Sequence, residues 1–140
     1  MFRALSVALL LVPALSFAQA RSAAPAGAEV YILSPAEGAK VSNPVTIKFG
    51  LKGMGVSPAG VKFDGAGHHH LLIDTDAPAN PALPLPTVEN KVVHFGKGQT
   101  EASITLPPGK HTLQLVLGDY LHIPHNPPVM SKKVTIEVTK

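Results

Sequence analysis

Seven histidines in a chain of 140 residues draw attention here because of where they fall. Three are consecutive, in Gly67-His68-His69-His70, and two more frame a stiff dipeptide in His122-Ile123-Pro124-His125. The triplet is internal and runs on into Leu71-Leu72-Ile73, so it is part of the fold and not an expression tag. Side chains alternate along a strand, which puts His69, Leu71 and Ile73 on one face, read as the core face, and His68, His70, Leu72 and Asp74 on the other. Two imidazoles in a His-x-His pair are then about 7 Å apart at Cα, from twice the strand rise. At that spacing they can converge on one metal ion or simply form a polar strand face.

The second segment adds Asp119, His122 and His125 on a connection stiffened by Pro124, Pro127 and Pro128. Rigid loops at the ends of small β domains commonly carry function. Asp119 can ligate a metal or cap a turn. His94, at the end of Lys91-Val92-Val93-His94-Phe95, can join from a neighbouring strand or pack in place. His111 follows Leu106-Pro107-Pro108-Gly109-Lys110 and is assigned to a structural corner, where a polar ring bonds back to the chain.

The candidate metal ligands are therefore His68, His70, His94, Asp119, His122 and His125. Neutral imidazole with carboxylate and no thiolate suits Cu(II), Zn(II) or Ni(II), and affinity order places Cu(II) first. The expected ion is copper or zinc. Met54 and Met130 are too few and too separated in the sequence for a thioether copper site. The chain has no G-x-S-x-G elbow, phosphate loop or H-E-x-x-H motif, and no catalytic or organic-cofactor site is expected.

The elements that must position these residues read as strands. Short alternating runs occur at 29–33, 45–51, 69–74, 91–95, 102–106, 111–117 and 133–138, separated by Pro/Gly clusters. That pattern predicts an all-β, antiparallel, immunoglobulin-like sandwich of about seven strands. The stretch Ala77–Pro86 is too rich in proline for a central strand and reads as a long surface loop. No segment shows a helical period.

Ahead of the domain, Arg3 and the apolar run Ala4–Phe17 end in Ala18-Gln19-Ala20. This reads as a signal peptide over residues 1–20, cleaved before Arg21 and too short to span a membrane. Residues 21–28 read as a flexible leader and 29–140 as the sandwich domain. A periplasmic or secreted location follows, with no membrane span. There is no cysteine, so no disulfide supports the fold and no thiolate is available. The net charge of +3 comes from scattered lysines, and aromatic residues are few, which excludes a nucleic-acid surface.

Taken together, Gly67–Asp74 (GHHHLLID), His94–Asp119 (HFGKGQTEASITLPPGKHTLQLVLGD) and His125–Ser131 (HNPPVMS) resemble a family of small exported bacterial domains of unknown function. More distantly, SPAEGAKV and LPPGKHTLQLVLGDYLH are similar to periplasmic copper carriers with an immunoglobulin-like fold. That resemblance implies Cu(II) ligands at Asp119 and His122. The carriers also use a ligand near the mature N-terminus, and Arg21-Ser22-Ala23 supplies no histidine there. The expected function is a non-enzymatic metal carrier or buffer, monomeric, with the ion and another envelope protein as partners. The rivals are a metal-free interaction module and a metalloenzyme similar to copper–zinc superoxide dismutases.

Overall fold

The computed structural model describes residues 20–140. The apolar segment read as a signal peptide lies outside the described residues, apart from Ala20. The described chain is all strand and loop: β1 (Glu29–Ser34), β2 (Lys40–Val41), β3 (Val45–Lys52), β4 (Gly55–Val56), β5 (Ala66–Ile73), β6 (Val92–His94), β7 (Glu101–Ile104), β8 (Gly109–Gly118) and β9 (Val134–Val138). All seven expected strands form. The two additions, β2 and β4, are two residues each, too short for any alternation to announce them. They also supply the parallel strand pairings, β2 with β9 and β4 with β5, while the other named strands pair antiparallel.

Two sheets make an immunoglobulin-like sandwich. One has the order β1-β3-β7; the other runs β2-β9-β8-β5-β4, with β6 also paired to β5. Alternation explains the interior. Val45, Ile47 and Phe49 of β3 point inward and meet Leu71 and Ile73 of β5 and Leu113, Leu115 and Leu117 of β8, while Thr46 and Lys48 face water. Burying each of these apolar side chains contributes about 1.5–3 kcal/mol, and no disulfide is needed to close the core.

The outer face of β5 is not solvated. Leu72 and Val116 pack there with Val92 of β6 and Leu85 from the proline-rich stretch, forming a second, smaller core. The stretch read as a surface loop thus folds back as a cover, with Leu85 only 5% exposed. All eight residues of β5 are buried, including His68 and His70.

Residues 21–28 were expected to be flexible. In the structure, Ala24 N–H donates to Asn126 O at 3.0 Å, Asn126 N–H donates to Ser22 O at 2.9 Å, and Ala24 packs against the main core. Small residues explain the fit, because Ala23 and Ala24 let the backbone lie close against the neighbouring loop.

Candidate metal centre

Strand parity puts His68 and His70 side by side on the outer face of β5, with ring centroids 4.8 Å apart. β6 lies alongside, and its register pairs His94 with His70. On the other side β8 pairs Gly118 with His68, and the chain then turns so that His122 returns over the same face. The His122 ring is 5.0 Å from His68, 4.7 Å from His94 and 5.9 Å from His70. The His94 ring is 5.0 Å from His68 and 5.1 Å from His70. Four imidazoles from two strands and one loop therefore surround one point. One nitrogen from each of His68, His94 and His122 lies within 4.8 Å of the others, an arrangement that could hold a metal ion.

Two glycines make room for the rings. A Cβ on Gly118 would come within 2.7 Å of His70 Cε1, and one on Gly96 within 2.7 Å of His94 Nε2. Neither glycine was singled out from the sequence. Gly96 follows His94 by two positions and Gly118 ends a strand, and only the register connects them to the site.

The electrostatics match neutral ligands. His68 and His70 are fully buried, and no hydrogen-bond partner reaches either ring nitrogen of these two residues or Nε2 of His94. Leaving a buried polar atom unpaired costs about 1–3 kcal/mol, so an unpartnered group of five such nitrogens asks for a reason. Burial, reinforced by the neighbouring His122 and His94, pushes the His68 pKa down to about 4, with Asp119 opposing. Burial with His68, His94 and His122 pushes His70 down to about 3. His94 is also lowered, by burial and then by His122. Lone pairs on these rings are thus free at neutral pH, the state a metal requires.

Two expected ligands stand apart. His125 lies on the opposite side of β5, where a Cβ on Gly67 would come within 2.9 Å of its ring. Its Nε2 is 3.2 Å from Ala66 O and its Nδ1 3.5 Å from Leu117 O, so the ring is directed at backbone carbonyls. The segment His122–His125 crosses the end of the sheet, which separates its two histidines. Asp119 is occupied as well. Its Oδ1 accepts from Leu121 N–H at 2.9 Å and Ile123 N–H at 3.0 Å, and its Oδ2 from Ser22 Oγ at 2.7 Å. It organises the turn that carries His122 and is not aimed at the four rings.

The remaining histidines serve the fold. His69 faces the main core, 5.0 Å from the Phe49 ring, where burial lowers its pKa against the backbone of Gln99. His111 has Nδ1 2.6 Å from Asp74 Oδ2 and Nε2 2.7 Å from Pro107 O, so both ring nitrogens are engaged at the corner.

No curated protein matches the chain. Among solved structures it is similar to the Clostridium thermocellum CbhA fibronectin(III)-like modules, at 10% identity and a TM-score of 0.41, over 78% of this chain and 92% of that one. A family model described as Domain of unknown function (DUF4399) matches residues 47–139, a span that contains all four clustered histidines, and the chain belongs to that family.

Proposed function

We propose that this chain is an exported, non-catalytic domain that binds one transition-metal ion through His68, His94 and His122, with His70 as the fourth donor. The observation that supports this reading is the meeting of four imidazoles, three of which, His68, His70 and His94, carry buried nitrogens without a partner in the protein. Both ring nitrogens of the core residue His69 are unpartnered as well, and what sets the cluster apart is that its rings lie together, so that one ion would satisfy several nitrogens at once. Four protein donors fill a coordination sphere, as in closed structural sites, while catalytic sites keep one position open for water or substrate. A carrier or buffer fits that closure better than an enzyme does.

Imidazole donors suit both copper and zinc, and affinity order ranks Cu(II) above Zn(II). The spacing adds a preference of its own. Four imidazoles bound at about 2.0 Å around a tetrahedral ion place their ring centroids roughly 5 Å apart, and the observed separations run from 4.7 to 5.9 Å. Copper is the ion favoured by affinity and zinc the ion favoured by shape. The apolar leader and Ala18-Gln19-Ala20 support export to the periplasm or beyond, where we take the domain to act as a monomer with another envelope protein giving or receiving the ion. No helix among the described residues is long and apolar enough to cross a membrane.

Equilibrium dialysis against Cu(II) and Zn(II) tests the reading. We expect one ion per chain in the wild type and loss of binding in His68→Ala/His94→Ala. No binding in the wild type would leave the metal-free interaction module as the better reading, and equal binding in the variant would show that these histidines do not hold the ion.

A further inference from the structure

The loop that delivers His122 is held by a segment nearly a hundred residues earlier in the chain. Ala23 lies in a parallel bridge with Asn126. The Arg21 guanidinium donates through Nε to Pro124 O at 3.0 Å and through its other end to His125 O. Ser22 Oγ donates to Asp119 Oδ2 at 2.7 Å. Asp119 is only 4% exposed and acts as the hub of the turn. Its other carboxylate oxygen takes the Leu121 and Ile123 amides, its carbonyl takes the His122 amide at 2.8 Å, and its own amide donates to Ile123 O at 2.9 Å.

These bonds converge on a residue in an uncommon conformation. His122 has φ +68°, the left-handed region that L residues with a Cβ avoid. Such a conformation persists only where its surroundings over-determine it. One restraint is the bond from Leu85 N–H to His122 O at 2.8 Å; the others pass through Asp119. A buried carboxylate oxygen needs a donor, and Ser22 is the donor on Oδ2. Without it, Asp119 either keeps an unsatisfied oxygen in the interior or turns away from the two amides it holds.

We propose that Ser22, supported by Arg21, is a positioning residue for His122: the strap Arg21–Ala24 fixes the Asp119 turn and thereby sets how tightly the four-histidine site holds its ion. This inference rests on the metal-binding reading for its functional consequence, but not for its structural one. The strap lies outside residues 47–139 matched by the family model. In this chain it is a second contribution to the site, distinct from the histidines themselves.

The experiment compares wild type with Ser22→Ala, Ser22→Thr and Arg21→Ala. Zn(II) affinity is read by competition with a chromophoric chelator, and amide hydrogen exchange is followed on the metal-free protein. Ser22→Ala should weaken Zn(II) binding about tenfold, the lower end for outer-shell partners of a metal ligand, and Ser22→Thr, which keeps the hydroxyl, should restore it. Arg21→Ala should weaken binding in the same direction. In the metal-free Ser22→Ala protein, exchange at Leu121, His122 and Ile123 should quicken while the amides of β5 hold their protection. Unchanged affinity together with unchanged exchange overturns the proposal. So does a loss of affinity that Ser22→Thr fails to restore, or a loosening that spreads to β5. If the wild type binds neither Zn(II) nor Cu(II), the metal reading fails on its own, and the exchange arm still decides whether the strap holds the turn.

Discussion

His70 and His94 face each other across the β5–β6 ladder, with ring centroids 5.1 Å apart. Neighbouring strands lie close enough for directly opposed side chains to touch, so this register places two donors together without help from any loop. His125, by contrast, belongs to the ligand set expected from the sequence but is turned toward Ala66 O. The two residues should therefore respond oppositely to substitution. His94→Ala is expected to lower affinity for Zn(II) or Cu(II) at least about tenfold, or ~1.4 kcal/mol. His125→Ala should leave affinity within a factor of two or three, about 0.5 kcal/mol, while lowering the melting temperature. Calorimetric titration with parallel thermal melts separates the two effects.

The lowered pKa values of His68 and His70, about 4 and about 3, fix a direction with pH. An unfolded chain takes up protons on these residues near pH 6.5, whereas the folded chain resists until the lower values. Between those limits the unfolded state binds more protons, so the metal-free protein should lose stability as pH falls from about 6.5 toward 4. Thermal melts across that range should show the slope, and His70→Leu should flatten it. A melting temperature that rises on acidification would contradict the buried, neutral site. A bound ion should also survive to more acidic pH than one held by exposed histidines.

Gly118→Ala puts a methyl group where the His70 ring lies, 2.7 Å from Cε1. Overpacking of this kind costs about 1–3 kcal/mol. The ring must move, and metal affinity should fall with stability. Gly96→Ala should act in the same way through His94. Retention of wild-type affinity in both variants would show that neither glycine shapes the site.

His111 behaves as a corner residue and predicts the reverse pattern. Removing its ring leaves Asp74 Oδ2 and Pro107 O without their partner. His111→Ala should cost about 1–3 kcal/mol of stability with no change in metal affinity. Burial acts to lower the His111 pKa, but Asp74 and the Pro107 carbonyl outweigh it and the pKa is raised. The stabilisation from the charged pair is complete below the ordinary histidine value and is lost as pH rises through the raised one. Denaturant melts at pH 6 and pH 9 should show the gap between wild type and variant narrowing at the higher pH.

Much of this was legible from side-chain alternation. Period-two patterning located seven strands, and parity alone put His68 and His70 on a common face. What alternation cannot supply is what covers that face. Leu85 sits in a stretch whose prolines rule out a strand, yet a single leucine at the right distance is enough to bury it against Leu72 and Val116. The two sides of the loop 122–125 were equally opaque, since His122 owes its direction to a left-handed backbone that no residue type there signals. The role of Asp119 was open between ligand and turn cap, and its hydrogen bonds to Leu121, Ile123 and Ser22 place it with the cap. The docking of Arg21–Ala24 was missed because a run of small residues reads as slack chain until the neighbouring loop is known.

The four rings are unequally accessible: His68 and His70 are sealed, whereas His94 and His122 keep partial contact with water. Under the metal-binding reading, His94 and His122 would be the side chains first open to an ion coming from water, and His68 and His70 would hold it from the side that solvent does not reach.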